Sequence, residues 1–246
     1  MKKKQSTKAE SKSNVTERIP SGIKGFDSLI EGGFKRRSVN LLTGGPGSGK
    51  TLFTIAFLYD GITKYNENGI YITFEEKKEK LYDDVKTFGW DLEKLEKEKK
   101  FIFLEYTPEQ VKKLLVEGGG SIESIVEKSN IKRLVIDSIT SFSLLYQDEL
   151  SKKESALALF ELIEKWNCTA LLTSQEFGNT NEDYITSAVG FETDSIIMLY
   201  HLKNKKGKRV RGVEILKMRG TKHAEDVYSF EINRNGIEVK KSRVII

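Results

Sequence analysis

The sequence has few of the residues that supply covalent cross-links or soft metal ligands. Its 246 residues include one cysteine, two histidines and three prolines. A lone cysteine cannot form an internal disulfide, and so few soft ligands argue against a structural zinc site. Cys168 lies in an apolar run, which favours a small core residue over a nucleophile. We therefore expect a reducing, cytoplasmic compartment and a fold stabilised by its own core.

A long apolar segment is also missing. No run approaches the roughly 18–20 apolar residues that a membrane-spanning helix requires. The first residues are charged, which is not the pattern of a signal peptide. We expect no membrane partner.

The net charge of +5 is concentrated at the N-terminus. Residues 1–16 hold five lysines and one acid, which leaves the rest of the chain near +1. We therefore divide the chain into a basic tail at residues 1–17 and one domain at residues 18–246. The tail is typical of a disordered, solubilising extension, and an arm for nucleic acid or an acidic partner is the alternative.

The most informative segment matches the pattern G-x-x-x-x-G-K-[ST] of a nucleoside triphosphate site. Its glycines let consecutive backbone N–H groups turn toward a phosphate, Lys50 can reach the β- and γ-phosphates, and the Thr51 hydroxyl can bind Mg²⁺. A predicted strand at residues 38–42 and a predicted helix at residues 52–65 flank it as this motif requires. The predicted nucleotide-binding residues are Gly44, Gly45, Pro46, Gly47, Ser48, Gly49, Lys50 and Thr51.

Strand and helix patterns alternate after residue 38, which predicts an α/β fold with a mostly parallel sheet flanked by helices. Predicted strands occupy residues 69–74, 101–104, 132–137 and 168–173, and predicted helices occupy residues 77–88, 92–98 and 122–127. Thr107 and Ser151 are expected to cap two more helices, paired with Gln110 and Glu154, and the second should end at Trp166. Strands at residues 195–200, 210–216 and 227–232, joined by short charged turns, should add antiparallel pairing at one edge.

Three acids are expected at the carboxyl ends of the parallel strands, where ligands bind in such sheets. Asp137 ends an apolar strand, and beside a phosphate loop its carboxylate is expected to hold Mg²⁺, directly or through water. Glu75 and Glu76 end the preceding predicted strand, where one acid can position a water for attack on a γ-phosphoryl group. The alternative is that both acids only begin the following charged helix.

Two cations are expected to project together from a C-terminal strand. Side chains alternate along a strand, so Lys217 and Arg219 share one face and Met218 points away. Such a pair repels unless an anion lies between its members, which indicates an anion site. A solvated hairpin edge with Gly220 in the turn is the alternative.

Taken together, these segments resemble single-domain KaiC-like ATPases of the RecA superfamily. The resemblance runs from about residue 18 to residue 246 and is carried by residues 20–27 (Pro-Ser-Gly-Ile-Lys-Gly-Phe-Asp), 31–33, 44–51, 73–76, 88–91, 135–138 and 217–223 (Lys-Met-Arg-Gly-Thr-Lys-His). It implies a RecA-like core, usually assembled as a hexameric ring with ATP between adjacent subunits. The expected partner is therefore a second copy of the chain.

The resemblance also implies roles for single residues in the same subunit. Glu75 and Glu76 become the catalytic pair, with either as the dominant base. Asp137 becomes the acid associated with Mg²⁺. Gln175 matches the region where RecA-like proteins sense the γ-phosphate, and a strand-end cap is its alternative role.

Other roles fall on the neighbouring subunit's ATP. By resemblance, Lys217 and Arg219 reach that nucleotide, with Arg219 acting as an arginine finger. His223 is expected to join them at the ribose or phosphates.

The chain also departs from the family pattern. Lys35 and Arg37 stand where the family often has proline and glycine, in a turn ahead of the phosphate loop. The adjacent Ser–Thr pair that is phosphorylated in two-domain members falls on Gly190 and Phe191, which carry no hydroxyl. Autophosphorylation by that route and a clock function are therefore not supported.

The sequence thus predicts a Mg²⁺-dependent, ring-forming ATPase with a regulatory or signalling function and an unidentified protein partner. One alternative is a RecA- or RadA-like, DNA-dependent ATPase of recombination or repair. Residues 176–188, where a DNA loop would lie, hold three acids and no lysine or arginine, which disfavours nucleic acid. The other alternative is an assembly module that binds ATP with negligible turnover.

Overall fold

The fold was analysed in a computed structural model that describes residues 17–118, 120–143, 146, 148–175, 188–203 and 207–244. The basic tail, apart from Glu17, lies outside the described residues, as do residues 176–187 of the segment considered for DNA binding.

A nine-stranded sheet forms the centre of the described structure. Its strands are β3 (Val39–Gly44), β4 (Asn68–Thr73), β5 (Phe101–Glu105), β6 (Ile131–Asp137), β7 (Thr169–Ser174), β8 (Ser195–Lys203), β9 (Arg209–Met218), β10 (Tyr228–Asn233) and β11 (Gly236–Arg243). Their order is β11-β10-β9-β8-β3-β7-β6-β4-β5. The strands from β8 to β5 pair in parallel, and β9, β10 and β11 extend the sheet antiparallel, so the predicted fold class is confirmed.

Helices flank this sheet. They are α1 (Lys50–Tyr65), α2 (Lys78–Lys86), α3 (Leu92–Lys97), α4 (Pro108–Val116), α5 (Gly120–Lys128), α6 (Ile139–Ser143), α7 (Glu149–Lys165) and α8 (Ala188–Glu192). Two short strands, β1 (Arg18–Ile19) and β2 (Phe34–Lys35), form a separate antiparallel pair. Among the described residues, no helix has both the length and the apolar character needed to cross a membrane.

Alternation along the parallel strands divides the core into two layers. Tyr71 of β4 packs with the α1 side of the sheet, whereas its neighbours Ile70 and Ile72 pack on the α7 side. Cys168 is buried just before β7, as expected for a small core residue, and burial raises the pKa of its thiol to about 12. Both faces of the parallel strands are therefore covered, which explains why they read as nearly continuous apolar runs.

The two predicted helix caps have different outcomes. The Thr107 cap is confirmed, because the Thr107 N–H donates to Gln110 Oε1 at 2.7 Å and the Gln110 N–H donates back to Thr107 Oγ1 at 3.4 Å. The Ser151 cap is wrong: α7 begins at Glu149, and the Ser151 N–H donates to Asp148 Oδ1 at 2.8 Å. Asp148 has extended backbone angles and accepts this first-turn donor, so Ser151 already lies within the helix.

Sequence reasoning missed the edge strand β11. It follows β10 through a two-residue turn between Asn233 and Gly236, and Gly236 has a φ of 100°. The outer side of β11 is partly covered, because the Val239 N–H donates to Lys24 O at 2.8 Å. An edge strand covered in this way has fewer free backbone groups to pair with another chain.

A fully buried arginine joins the amino ends of β4 and β6 to α1. Arg133 Nε donates to Glu67 Oε2 at 2.7 Å, and its Nη1 donates to the carbonyls of Pro20 and Phe57 at 2.9 and 2.8 Å. The guanidinium lies 4.6 Å from the centre of the Phe57 ring. Gly61 makes room for it, since a Cβ there would lie 2.2 Å from Arg133 Nε.

Gly61→Ala is expected to lower the free energy of unfolding by about 3 kcal/mol, because it displaces the buried Arg133 guanidinium from the Glu67 carboxylate. Urea unfolding followed by circular dichroism measures the change. Gly120→Ala is the matched control, since a Cβ at Gly120 meets no atom of the described structure within 4 Å. Equal stability of the two variants would contradict the role given to Gly61.

Candidate nucleotide site

The phosphate loop connects the end of β3 to the start of α1. Gly47 and Gly49 have φ values of 73° and 105°, which side chains rarely adopt. A Cβ at Gly44 would lie 2.2 Å from Leu199 O on the neighbouring strand β8. The glycines therefore allow both the turn of the loop and its close packing on β8.

Lys50 begins α1 and folds back over this loop. Its Nζ donates to Gly44 O at 2.7 Å and to Gly45 O at 3.2 Å. Burial lowers the pKa of Lys50, and the nearby carboxylates of Asp137 and Glu75 act in the opposite direction. The ammonium thus lies between the loop carbonyls and two acids, where a phosphate can replace the carbonyls as its partner.

Asp137, at the end of β6, is held by three hydroxyl groups. Its Oδ2 accepts from Thr51 Oγ1 at 3.0 Å and from the Tyr71 hydroxyl at 2.6 Å, and its Oδ1 accepts from Thr173 Oγ1 at 2.5 Å. Burial, followed by the adjacent Asp137 charge, raises the pKa of Tyr71 well above its usual value, so its phenol stays protonated. Sequence reasoning found Asp137 and Thr51 but missed Tyr71 and Thr173.

Glu75 and Glu76 share the turn after β4, but their side chains have different partners. Thr73 Oγ1 accepts from the N–H groups of Glu75 and Glu76 at 3.2 and 3.0 Å, which fixes the backbone of the pair. The Glu75 carboxylate accepts from the Ser141 hydroxyl and, at 3.4 Å, from Gln175 Nε2. Glu75 and Gln175 therefore lie together in the crevice.

Glu76 has a different environment. Its Oε2 lies 3.9 Å from Lys80 Nζ, one helical turn further along in α2. This is the i, i+4 pairing expected of an acid just before a helix, although Glu76 is less exposed than Glu75. Among the described residues, the crevice side chains of Ser141 and Gln175 donate hydrogen bonds to Glu75 and not to Glu76.

Lys217 and Arg219 lie at the other end of the sheet. Lys217 pairs with Ile196 near the start of β8, which pairs with Leu41 of β3, whereas Gly44 pairs with Leu199. The three residue steps from Leu41 to Gly44 span about 10 Å of strand. The two cations are therefore well separated from the phosphate loop of their own chain.

The two cations share a face, as strand alternation predicts, and Met218 is buried. Lys217 Nζ donates to the carbonyls of Gly190, Phe191 and Thr193 at 2.8, 3.0 and 2.7 Å, and Arg219 Nη2 donates to Phe191 O. Burial, and then the Arg219 charge, lowers the pKa of Lys217. The carbonyl groups at the end of α8 thus hold both cations in place.

His223 lies away from the loop as well. Its Nδ1 is 3.0 Å from Ala224 O, and the Ala224 N–H donates to Leu29 O at 2.9 Å. The structure therefore brings the loop, Asp137, Glu75 and Gln175 together, and it places His223 elsewhere.

Two residues near the loop were missed by sequence reasoning. Arg211 Nε and Nη2 each lie 3.4 Å from Gly47 O, and a Cβ at Gly47 would lie 3.6 Å from His201 Nδ1. Burial, followed by the charges of Arg211 and Arg209, lowers the pKa of His201. No sequence signal marks these two residues, because they reach the loop only through the pairing of β8 with β3, which places residues beyond Leu199 over the loop.

The residues of the site fit a nucleotide with Mg²⁺. The fully buried Ser48 hydroxyl, within the loop, has no hydrogen-bond partner among the described residues, and neither has the Ser138 hydroxyl beside Asp137. Thr51 and Asp137 offer the hard oxygen atoms that Mg²⁺ prefers. Lys50 and the start of α1 provide positive potential for phosphates.

Comparison with known proteins agrees with this geometry. The sequence model of the family described as KaiC matches residues 19–244. The circadian clock oscillator protein KaiC of Thermostichus vulcanus is 31% identical over 242 residues, which are 96% of this chain and 46% of that protein. The UPF0273 protein MJ1359 of Methanocaldococcus jannaschii is also 31% identical over 242 residues, covering 93% of this chain and 98% of that protein.

A solved structure extends the comparison to the fold. The crystal structure of the KaiC-like protein PH0186 from Pyrococcus horikoshii matches with a TM-score of 0.79 at 38% identity, covering 92% of this chain and 99% of that one. The chain spans about half the length of the clock proteins it matches, since it covers 46% of the T. vulcanus protein. It belongs to the KaiC-like family of ATPase domains, with the RecA-like P-loop fold.

Proposed function

We propose that the protein is a Mg²⁺-dependent ATPase whose active site is completed by a second copy of the chain in a ring. The observation that carries this proposal is the division of the predicted site between the two ends of the sheet. The phosphate loop, Asp137 and Glu75 converge at one end, and Lys217 and Arg219 lie together at the other. Residues 18–246 would act as one ATPase domain, with residues 1–17 as a tail.

Each residue of the crevice has a defined task in this proposal. The loop from Gly44 to Thr51 binds the phosphates, and Lys50 transfers its hydrogen bonds from loop carbonyls to phosphate oxygens. Thr51 and Asp137 hold Mg²⁺, which neutralises charge on the phosphates when bound. Glu75 accepts a hydrogen bond from the attacking water, and Gln175, bonded to the same carboxylate, responds to the γ-phosphate.

The second half of the site would come from the neighbouring subunit. Lys217 and Arg219 are two cations on one face, fixed by the carbonyl groups at the end of α8. Arg219 is held there through one described carbonyl bond, while Lys217 would exchange one of its three carbonyl partners for an anion presented by another molecule. A head-to-tail contact closes into a ring when the rotation between neighbours completes a circle, and for this chain we propose a homohexamer, with His223 near the ribose or phosphates.

The proposed role is regulatory or signalling, in the cytoplasm, through a protein partner. The name of the T. vulcanus relative describes a clock oscillator. Gly190 and Phe191 carry no hydroxyl, so we do not extend phosphorylation of these positions to this chain. Stimulation of ATP hydrolysis by single-stranded DNA would favour the recombinase alternative, and nucleotide-dependent assembly without phosphate release would favour the assembly module.

Glu75→Gln is expected to reduce phosphate release by at least about 100-fold, because the amide cannot accept a proton from water. Glu76→Gln is expected to cause a much smaller loss, since Glu76 lies toward Lys80. Steady-state phosphate release at saturating ATP, with ATP affinity measured in parallel, separates turnover from binding. If Glu76→Gln is the more damaging of the two changes, our assignment of the base is wrong.

Arg219→Ala is expected to reduce turnover about 1000-fold while ATP affinity changes little, because an arginine finger acts mainly on the transition state. Arg243→Ala is the matched control, since Arg243 is another exposed arginine near a strand end, paired with Asp226. Both variants should be sized with Mg²⁺–ATP to check assembly. Normal hydrolysis by the Arg219 variant would exclude it as the finger.

A further inference from the structure

We propose that Tyr71 is a positioning residue for the metal site, and that its hydroxyl sets the orientation of Asp137 on which Mg²⁺ binding depends. The inference rests on the proposed nucleotide function and deepens it. It concerns a side chain in the middle of β4 that lies well inside the protein, where an apolar residue would be expected.

The first observation is the hydrogen bond itself. Tyr71 is fully buried, and its hydroxyl donates to Asp137 Oδ2 at 2.6 Å. A buried phenol with no partner would destabilise the core, so its presence at this position is explained by the acid that it meets. Its ring stacks on Phe103 with centroids 5.7 Å apart and an interplanar angle of 15°, which fixes the direction of the hydroxyl.

The second observation is that Asp137 is held through both oxygens. Thr173 Oγ1 donates to Oδ1 from β7, while Tyr71 donates to Oδ2 from β4. These two strands lie on either side of β6, which carries Asp137. The carboxylate is therefore clamped from its two neighbouring strands and cannot rotate without losing a bond.

The Asp137 oxygen that Tyr71 contacts also bonds to a residue expected to bind Mg²⁺. Asp137 Oδ2, the oxygen bonded to Tyr71, also accepts from Thr51 Oγ1 at 3.0 Å. Thr51 is the loop residue whose hydroxyl is expected to bind Mg²⁺. Partners of this kind, which orient a metal-associated group without touching the metal, typically change metal affinity by about 10- to 100-fold when removed.

The strand that carries Tyr71 also positions Glu75, the proposed catalytic acid. Thr73 follows Tyr71 on the same face of β4 and accepts from the Glu75 N–H. The Phe74 N–H also donates to Asp137 O at 3.3 Å. One strand end therefore sets the relative positions of Asp137 and Glu75.

The test measures ATP binding as a function of Mg²⁺ without turnover, using a fluorescent ATP analogue. For Tyr71→Phe, the Mg²⁺ concentration that gives half of the Mg²⁺-dependent gain in affinity should rise about tenfold or more. Affinity in the presence of a chelator should not change, because the phosphate loop is untouched. A purely structural role would instead alter both values or neither.

Two further variants make the result specific. Tyr82→Phe is the matched control, since Tyr82 is also buried and its hydroxyl donates to Glu96 Oε2 at 3.1 Å, outside the site. It should bind Mg²⁺ and nucleotide as the unchanged protein does. Fluorotyrosine at position 71 keeps the donor and should retain the original Mg²⁺ midpoint, even if the phenylalanine variant folds poorly.

The outcomes separate this inference from the proposed function. An unchanged protein that binds no nucleotide, with or without Mg²⁺, would overturn the proposed function and this inference with it. An unchanged protein whose binding is strengthened by Mg²⁺, together with the same Mg²⁺ midpoint in Tyr71→Phe, would overturn the inference alone. A midpoint shift in Tyr82→Phe equal to that in Tyr71→Phe would also overturn it.

Discussion

The hydrogen bonds to the Asp137 carboxylate organise the carboxyl end of the sheet. They come from α1, β4 and β7, through Thr51, Tyr71 and Thr173. Because charged hydrogen bonds are among the stronger polar contacts in proteins, they fix the phosphate loop relative to two strands. The loop, Glu75 and Gln175 can then be positioned in one crevice.

The opposite end of the sheet has its own fixed group of charges. Arg133 and Glu67 are buried at the amino ends of β6 and β4, and Gly61 leaves the space that the guanidinium occupies. Lys217 and Arg219 also lie toward that end, bonded to carbonyls at the end of α8. The phosphate loop, Asp137 and Glu75 thus lie at one end of the sheet, and Lys217 and Arg219 lie toward the other. In the proposed function these two groups meet only where two copies of the chain are in contact.

Local chemistry made the phosphate loop and the main strands predictable from sequence. Glycines at positive φ and a lysine at a helix start are encoded within eight residues, and apolar runs identify strands buried on both faces. The N-cap of α7 was harder to predict from the sequence, because Asp148 and Ser151 are both suitable capping residues. Only the observed start of the helix at Glu149 identifies Asp148 as the cap.

Contacts between distant segments could not be read from the sequence. Tyr71 and Asp137 are 66 residues apart, so a buried tyrosine in a strand pattern gave no sign of its partner. Glu75 and Glu76 are equivalent in sequence, and only the turn fixed by Thr73 directs one toward Gln175. His201 and Arg211 reach the loop through the pairing of β8 with β3, which is a property of the sheet order.

The most direct test of a site shared between subunits is a mixing experiment. Glu75→Gln impairs the half that holds the phosphate loop, and Arg219→Ala impairs the half that we assign to the neighbour, so each variant alone should be nearly inactive. Equal amounts, dissociated and reassembled together, should restore phosphate release to about a quarter of the unchanged protein's activity, because random mixing leaves both halves intact at about a quarter of the interfaces. Activity of the mixture no higher than that of the separate variants, with mixed rings confirmed by native mass spectrometry, would contradict the account.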